Sequence, residues 1–537
     1  MADLKIYLAT KEQGEEIISK LDALALDIAP IGHVVYHVRT VSGDAVTLRW
    51  KDPSDGPRVT WLKTVIVKKQ GAAPESPTDG TVVVASTIRD QYAATGYTDT
   101  QSGADGWVYR AFPTSVAGAV SMSAENIFTP YELYEYYIDE GLSDPEQMVV
   151  YEGQTSGATQ LSIDKTVDPS PSAINWGSFE EAFFMPKPCM LNGDGTVAYY
   201  LDPDDYTKKA DGTSSDITDL TFDGNAMMEF PRVYMAANKI GSRIHVKICD
   251  QKLDETFECF PCLKANGDYA TEFYMPIYEG YMYNGKLRSM CPADVKCNSG
   301  AAQSTQVTNA RANGTGWDVT TQAQEEIIKA LGVLVFKRLD IPAACGGDRS
   351  VTASSAQIVI GGGNQFGMFG GKFDGSWTTC KFFGMENWWG NVGRRAIGVV
   401  LIDSEWGVKM TKHRGDGSGA DDYVWSDNAP DYAGKYHMTG IRMPTTYSNA
   451  YITEVGGILA HDADKGVSCV FLPRVAAGGG SAAKYCDAVY SSTGLRGAVF
   501  GGYASSGASC GPFCVYANVA PSFSNWFYGA SLSYTRF

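Results

Sequence analysis

Val59-Thr60-Trp61-Leu62-Lys63-Thr64-Val65-Ile66-Val67 is the stretch that shows most clearly what kind of fold this chain adopts. Most of its residues are β-branched or aromatic, and such residues suit the pleated, half-buried surface of a sheet. The preceding Asp52-Pro53-Ser54-Asp55-Gly56-Pro57 is built from residues that form turns. The sequence therefore predicts a β-strand that begins after a tight connection.

Similar runs lie on both sides of this stretch, and turn residues separate them. They are His33–Val38, Ala45–Trp50, Thr81–Ala85, Trp107–Phe112 and Val120–Ser123. Together they give six or seven short strands in roughly 90 residues, the density that a β-sandwich requires. We therefore predict a sandwich over residues 31–123.

Two of these runs also resemble a known family. Val46-Thr47-Leu48-Arg49-Trp50, followed by Asp52-Pro53, resembles the second strand of a fibronectin type III-like domain. Trp107-Val108-Tyr109-Arg110-Ala111-Phe112 resembles its penultimate strand. Domains of that family are generally spacers or adhesive modules, so the resemblance implies no catalysis.

The segments that flank the predicted sandwich have other patterns. Thr10-Lys11-Glu12-Gln13 fits a capping box, and apolar residues recur after it at helical spacing up to about Leu26. We predict a helix within residues 1–30 that either packs on its own domain or serves for docking and oligomerisation. Residues 124–178 are predicted to be a linker that partly packs on the domain C-terminal to it, with Tyr131–Tyr137 helical.

Composition excludes several classes of protein. The 537 residues include 44 Lys and Arg against 61 Asp and Glu, a formal net charge of −17, which disfavours nucleic acid as a partner. No signal peptide is visible, and no apolar stretch approaches the ~18 residues of a membrane-spanning helix. We therefore expect synthesis in a cytoplasm, no membrane insertion, and cysteines that are buried free thiols rather than disulfides.

The candidate metal and phosphate motifs are incomplete. Cys259-Phe260-Pro261-Cys262 lacks the second pair of a zinc site, and Gly361-Gly362-Gly363 lacks the Lys-Ser/Thr ending of a P-loop. An acidic cluster offers hard oxygen ligands for Ca²⁺ but is no EF-hand, and solvated turns are the alternative. Its members are Asp194, Asp202, Asp204, Asp205 and Asp211. We predict no cofactor and no catalytic metal, with a structural Ca²⁺ as the one candidate.

Residues 179–537 show no alternation of strands and helices. One long helix is predicted around Thr320–Leu331, and the remainder consists of short strands between glycine-rich loops. The segment from Leu495 to Phe537 has ten aromatic residues and only two charged ones, Arg496 and Arg536. Glycine, serine, alanine, asparagine and proline interrupt it, and this mixture is typical of recognition surfaces.

This part of the chain resembles C-type-lectin-fold variable proteins, which retroelements diversify and which often occur on phage tail fibres. The resemblance rests on motifs such as Leu495-Arg496-Gly497, Gly511-Pro512-Phe513, Ser524-Asn525-Trp526 and Ser531-Leu532-Ser533-Tyr534. Upstream, Glu386-Asn387-Trp388-Trp389-Gly390-Asn391-Val392 resembles the Trp-Gly-Asn motif of the formylglycine-generating-enzyme-like branch. The implied fold class is mostly β: a fibronectin-like sandwich followed by a large, loop-rich α+β C-type lectin domain over residues 179–537.

The resemblance also implies which residues vary and which support them. Residues 495–537 are the candidate variable region and contain no Lys, Glu, Gln or Met, as adenine-directed mutagenesis of an asparagine codon would leave it. The candidate ligand-binding positions are Val499, Phe500, Tyr503, Ser505, Ser506, Ser509, Tyr516, Asn518, Val519, Phe523, Asn525, Phe527 and Tyr528. The candidate scaffold residues are Trp388, Trp389, Asn391, Arg496 and Trp526. A fixed, glycine- and aromatic-rich β-segment is the alternative interpretation.

The implied function is non-catalytic adhesion by a phage or prophage tail protein. Its expected partners are a bacterial surface protein or glycan and, through the N-terminus, other tail or baseplate proteins, with a homotrimer as the implied assembly on the virion. One alternative is a bacterial surface or secreted lectin-like adhesin. Another is a formylglycine-generating-type thiol oxidase, for which Cys510 and Cys514 are the nearby cysteine pair.

Overall fold

The structure is a computed structural model, and it describes ten ranges of the chain. These are residues 30–57, 59–100, 106–264, 268–347, 357–371, 379–408, 436–443, 447–460, 467–477 and 484–535. The chain divides into two compact units. Unit 1 comprises the residues up to Glu132 together with Gln251–Phe257, and unit 2 comprises Leu133–Asp250 and Glu258–Phe537. The helix predicted within residues 1–30 lies outside the described residues, apart from Pro30.

Unit 1 is a sandwich of two antiparallel sheets, one in the order β1-β2-β5 and the other in the order β4-β3-β6-β7. Its strands are β1 (Tyr36–Ser42), β2 (Ala45–Lys51), β3 (Trp61–Gln70), β4 (Thr81–Ser86), β5 (Tyr97–Asp99), β6 (Trp107–Ser115) and β7 (Ile127–Phe128). Leu48 and Trp50 from the first sheet share one buried core with Ile66 and Tyr109 from the second. The predicted sandwich is therefore present, and the two runs that carry the fibronectin resemblance lie in its second and sixth strands, β2 and β6.

A short insertion completes unit 1. Gln251–Phe257 follows a strand of unit 2 in sequence but belongs to unit 1 in space. The Leu253 carbonyl accepts a hydrogen bond from Arg49 Nη2 at 3.3 Å, and Lys51 forms an ion pair with Glu255. The sandwich therefore draws on residues far from its own stretch of sequence.

Unit 2 contains the remaining described elements. Those before residue 300 are β8 (Leu133–Asp139), β9 (Val149–Tyr151), β10 (Ser162–Ile163), β11 (Ile174–Asn175), β12 (Lys187–Asn192), β13 (Val197–Tyr200), β14 (Gly224–Pro231), β15 (Tyr234–Ile240), β16 (Arg243–Cys249), β17 (Glu272–Pro276), β18 (Tyr281–Tyr283) and β19 (Lys286–Arg288). Those from residue 300 to 402 are α1 (Gln303–Arg311), β20 (Trp317–Val319), α2 (Gln322–Phe336), α3 (Ile341–Cys345), β21 (Lys381–Phe382), β22 (Met385–Glu386) and β23 (Gly393–Ile402). The last are β24 (Glu405–Val408), β25 (His437–Arg442), β26 (Tyr447–Val455), β27 (Ile458–Ala460), β28 (Val467–Cys469), β29 (Pro473–Ala477), β30 (Ala488–Ser491), β31 (Leu495–Phe500), β32 (Val515–Val519), β33 (Tyr528–Ala530) and β34 (Leu532–Thr535).

Three larger sheets organise these strands. The first has the order β13-β12-β14-β17-β34-β20, and the second has the order β15-β16-β8-β9. The third follows the path β25-β24-β23-β31-β32-β30-β26-β29, with β33 pairing with β23. The structure confirms the predicted β-rich fold with few helices.

The predicted linker over residues 124–178 is corrected by the structure. β8 lies in the interior of the second sheet, so Tyr131–Tyr137 is extended from Leu133 onward rather than helical. Tyr136 donates a hydrogen bond to the Ala330 carbonyl at 3.0 Å, and Tyr151 donates one to the Leu334 carbonyl at 2.5 Å. Both acceptors lie on α2, so residues 133–178 are an integral part of unit 2.

The long helix of unit 2 is α2, and it overlaps the predicted Thr320–Leu331. Thr321 caps it, because its side chain accepts the Gln324 N–H while the Gln324 side chain accepts the Thr321 N–H. The helix continues to Phe336, where Lys337 adopts a left-handed conformation with φ of 50°. All of its residues are buried.

Candidate functional site

Stacked tyrosines on adjacent strands form the base of the candidate site. β30 and β32 pair in parallel, and this pairing places Tyr490 beside Tyr516. Their ring centroids are 4.3 Å apart and the ring planes differ by 4°. A small residue follows each tyrosine along its strand, Ser491 after Tyr490 and Ala517 after Tyr516. The sheet therefore holds two aromatic rings in register.

Further rings extend this stack. Tyr503 lies 5.3 Å from Tyr516 and 4.6 Å from Phe527, measured between ring centroids. Phe527 contacts both Trp526 and Tyr528 edge to face, at 5.3 Å and 4.4 Å. We call this set the aromatic face, and it consists of Tyr490, Tyr503, Tyr516, Phe523, Trp526, Phe527 and Tyr528. Ring pairs with these spacings are favourable beyond the area that they bury.

The rings of the aromatic face differ in how deeply they are buried. Tyr516 and Tyr528 are only 4% and 7% exposed and form its floor. Tyr490, Tyr503, Trp526 and Phe527 are half-buried, and Phe523 is 46% exposed. A bound partner would therefore meet rings whose positions are already fixed by the rings beneath them.

Small polar groups surround these rings. The Ser506 hydroxyl is 3.0 Å from the Tyr516 hydroxyl, and the Ser509 hydroxyl is 3.1 Å from that of Tyr451. Ser505 and Asn518 are exposed. Burial raises the pKa of the Tyr516 phenol well above its ordinary range, so this group stays protonated and neutral.

The loop that carries Phe523 and Trp526 is held from beneath through its backbone. The fully buried Arg395 donates from Nη1 to the Ala520 carbonyl at 3.4 Å and from Nη2 to the Phe523 carbonyl. The Gln303 N–H donates to the Pro521 carbonyl at 2.9 Å. Gln357 Nε2 likewise donates to the Trp526 carbonyl, at 3.0 Å. Since the acceptors are carbonyls, these anchors do not depend on which side chains the loop carries.

The aromatic face has no charged residue of its own. Residues 497–535 contain no Lys, Arg, His, Asp or Glu. The nearby Asp487 is buried, and its carboxylate accepts the N–H groups of Phe513 and Cys514 at 2.7 Å and 3.2 Å. The face therefore offers ring surfaces, hydroxyls and amides, but no Coulombic attraction for a charged ligand.

The structure divides the thirteen candidate positions into two groups. Eight are exposed or half-buried, namely Tyr503, Ser505, Ser506, Ser509, Asn518, Phe523, Asn525 and Phe527. The other five are buried, with exposures of 0–7%, namely Val499, Phe500, Tyr516, Val519 and Tyr528. A ligand can contact only accessible side chains, so these five positions do not present their side chains to a ligand in this structure. Val499 and Tyr516 lie opposite each other in the pairing of β31 with β32 and belong to one buried cluster.

The candidate scaffold residues also divide. The buried Trp389 donates from Nε1 to the Gly346 carbonyl at 3.0 Å, and the buried Asn391 accepts the Ile358 N–H at 3.1 Å. The Trp388 ring is buried and lies 3.5 Å from the Arg394 guanidinium carbon. Arg496 and Trp526 are only half-buried, so they are not core residues in the same sense. Trp526 instead contributes to the aromatic face.

Two contributors to this region lie outside the predicted segment. Tyr490 and Tyr451 come from β30 and β26, upstream of Leu495. Neither stood out in the sequence, because each lies in an ordinary strand pattern. The one available signal was the Tyr490-Ser491-Ser492 composition, which matches the aromatic and small polar mixture downstream.

The glycine loop that resembles a phosphate-binding loop is already occupied by the protein. The N–H groups of Gly361 and Gly363 donate to the Glu386 carboxylate at 2.7 Å and 3.1 Å. Lys381 lies opposite Glu386 in the pairing of β21 with β22, and both are buried. These backbone donors therefore serve an internal carboxylate.

The acidic cluster consists largely of turns. Asp194 accepts the backbone N–H and the hydroxyl of Thr196 at 2.9 Å and 2.6 Å. Asp205 and Asp211 make the same bonds to the threonines two residues further on. Within the described ranges, no group of three or more His, Cys, Asp or Glu side chains is placed to hold a metal ion.

Comparisons with known proteins add no family to this description. No family model matches the chain, and no curated protein matches it in sequence. In the described part of the chain, no helix is long and apolar enough to cross a bilayer.

Proposed function

We propose that this protein is a non-catalytic receptor-binding protein of a phage or prophage tail, and that it recognises a bacterial surface ligand through the aromatic face. The observation that carries the proposal is the uncharged, graded stack of rings from Tyr490 to Phe523, which the protein supports on a sheet and on a backbone-anchored loop. The resemblance of residues 495–537 to phage-borne variable proteins supplies the biological setting.

The chemistry of the face fits recognition. Tyrosine and phenylalanine provide large contact areas at low cost in side-chain entropy, and serine and asparagine provide adaptable hydrogen bonds. The eight accessible candidate positions lie on and around this face. Binding at one face of this kind would be modest, and several copies on one tail would bind by avidity.

The same geometry disfavours the thiol oxidase alternative. Cys510 and Cys514 are 1% and 0% exposed. Burial, reinforced by the neighbouring Asp487, raises the pKa of the Cys514 thiol well above its ordinary value. Catalytic thiols need the opposite shift and access to substrate.

The bacterial adhesin alternative would use the same face. Gene context separates the two classes. Tail genes, or a reverse transcriptase with a template repeat, beside this gene would support the tail assignment. A cell-surface anchoring locus would support the adhesin.

The test measures binding of fluorescently labelled protein to a panel of intact bacteria and isolated envelopes. The double variant Tyr503→Ala/Phe527→Ala removes two accessible rings, and we expect at least a tenfold loss of binding to whichever cells the native chain recognises. Tyr200→Ala is the control, because Tyr200 is 40% exposed on β13, outside the aromatic face. Unchanged binding of the double variant, or an equal loss with Tyr200→Ala, would refute the proposal.

A further inference from the structure

A buried lysine and a buried aspartate meet between the two sheets of unit 1. Lys68 lies on β3 and Asp99 on β5, which belong to different sheets of the sandwich. Lys68 Nζ is 2.6 Å from Asp99 Oδ2, and the two side chains are 5% and 7% exposed. In the Lys51–Glu255, Lys69–Asp79 and Lys239–Glu140 pairs, by contrast, at least one of the two side chains is more than a tenth exposed.

A third group is directed at the same carboxylate. Tyr109 lies opposite Lys68 in the pairing of β3 with β6, and its hydroxyl donates to Asp99 Oδ2 at 2.9 Å. Burial raises the pKa of this phenol, so it remains a hydrogen-bond donor. The ring of Trp107 covers the amine, with its centroid 4.9 Å from Lys68 Nζ.

We propose that Lys68 and Asp99 condense to an intramolecular amide that joins the two sheets of the sandwich covalently. The arrangement holds the amine in hydrogen-bond contact with the carboxyl group and largely excludes water, which gives a high effective concentration. This modification is independent of the aromatic face and of the function proposed for it.

The reaction needs no co-reactant. Proton transfer from Nζ to Oδ2 gives the neutral amine and the neutral acid, which are the forms that condense. The Nζ lone pair then attacks Cγ, a C–N bond forms, and the Cγ–O bond breaks. One oxygen of Asp99 and two protons from the Lys68 ammonium leave as water. The Tyr109 hydroxyl donates to Oδ2, so it assists the departure of that oxygen as water.

The Lys239–Glu140 pair in unit 2 shows by comparison how the solvation of the Lys68–Asp99 pair differs. Lys239 lies 2.5 Å from Glu140, but its side chain is 16% exposed and so keeps part of its solvation. The Glu140 carboxylate also accepts the backbone N–H of Val455 at 2.8 Å. Because water reaches Lys239, we expect no amide at that pair.

The test is the intact mass of the purified, denatured full-length protein. An amide predicts a mass about 18 Da below that of the sequence, because one water is lost. Peptide mapping should yield one branched peptide that contains Lys68 and Asp99, with no tryptic cleavage after Lys68. An unmodified mass together with normal cleavage after Lys68 would overturn the proposal, and this result does not depend on any variant folding.

Variants then assign the chemistry. Lys68→Arg retains a cation but should restore the full mass, whereas Tyr109→Phe should leave a fraction of the chains uncondensed. Lys69→Arg is the matched control, because Lys69 pairs with Asp79 at 2.9 Å on the surface, with exposures of 37% and 31%. It should leave the mass deficit unchanged. A deficit that persists in Lys68→Arg would also contradict the assignment.

Discussion

At the scale of single residues, Phe500 and Phe523 show why composition could not identify the binding positions. Both are phenylalanines in the same uncharged segment, yet Phe500 is 1% exposed and Phe523 is 46% exposed. Phe500 lies under the buried Lys329, with its ring centroid 4.0 Å from Nζ. Lys329 Nζ has no hydrogen-bond partner among the described residues, so the ring supplies a favourable contact that no hydrogen bond replaces.

Because the surroundings of Phe500 and Phe523 differ, replacing each of them by alanine should change the free energy of unfolding by different amounts. Phe500→Ala should lower the free energy of unfolding by about 3–5 kcal/mol, because it leaves a cavity and removes the ring from a buried ammonium. Phe523→Ala should lower it by about 1 kcal/mol or less, since nearly half of this residue is already exposed. Denaturant unfolding of both variants makes the comparison. Similar stabilities for the two would show that Phe500 is not a core residue.

At the scale of elements, the loop from Ala520 to Phe527 carries candidate variable positions but is attached to the protein through its backbone carbonyls. Its carbonyls are bound by Arg395, Gln303 and Gln357. A loop held in this way can exchange exposed side chains without losing its backbone conformation.

The attachment predicts that Arg395→Lys loosens this loop. Lysine cannot supply two directed donors from one planar group, so one of the two carbonyls loses its partner. We expect amide hydrogen exchange over residues 520–528 to accelerate at least tenfold. Arg474→Lys is the control, because Arg474 is 47% exposed and pairs with Glu454 on the surface. Unchanged exchange in Arg395→Lys would mean that the other contacts hold the loop by themselves.

The elements also show how far sequence patterns reach. Most sandwich strands and α2 were predictable, because β-branched runs separated by turns, and a helical period after Thr321, are local signals. The predicted strand Val120–Ser123 is wrong, since only an isolated bridge forms at Val120, and the short strands β5 and β7 were not predicted. β8 was not, since Leu133-Tyr134-Glu135-Tyr136-Tyr137 has no clean alternation and becomes a strand through pairing with β16. Propensity is a weak guide wherever tertiary pairing decides.

The candidate site was predictable in composition but not in geometry. The segment from Leu495 to Phe537 was found from its lack of charge and its ten aromatic residues. Which residues face inward depends on the register of β31 and β32, and Tyr490 joins through a parallel pairing with β32. Those pairings are non-local, and no short stretch encodes them.

At the scale of the whole molecule, the thiols are distributed unevenly. All twelve cysteines are free and buried, and they all belong to unit 2. Burial raises the pKa of eight of them, namely Cys189, Cys262, Cys291, Cys297, Cys345, Cys469, Cys486 and Cys514. Unit 2 therefore holds protons at a pH at which its unfolded chain would release them.

This imbalance predicts that unit 2 loses stability in alkali. Above a pH of about 9 the folded chain binds more thiol protons than the unfolded chain, so the free energy of unfolding falls as the pH rises. Lys381 acts in the opposite direction, because burial lowers its pKa to about 8. The eight thiols outweigh buried lysines such as Lys381. We therefore expect the free energy of unfolding of unit 2 to fall by roughly 3 kcal/mol between pH 8 and 9.5.

The measurement is denaturant unfolding with a reducing agent present, followed separately in the two units by hydrogen exchange. The midpoint for unit 1 is the internal control, since that unit has no cysteine. Equal pH dependence in both units, or a more stable unit 2 at pH 9.5, would contradict the assignment to thiols.

The insertion of Gln251–Phe257 into unit 1 makes a prediction across the chain. Leu253 is 7% exposed within unit 1 although it lies far from the sandwich in sequence. Leu253→Ala should destabilise unit 1 by about 2 kcal/mol, seen as faster hydrogen exchange in β1 and β2. Ile240→Ala, at a residue 62% exposed, should have no such effect. Equal exchange in both variants would show that the insertion contributes little.

The position of β34 in the first sheet of unit 2 also sets an order of events during synthesis. β34 lies between β17 and β20, so neither of these strands has its full complement of partners until residues 532–535 exist. The ribosome adds the intervening residues at about 5–20 per second, so β20 waits roughly 10–40 s for its neighbour. During that interval its edge is open to mispairing, and chaperones that shield nascent strands should therefore raise the yield of native protein.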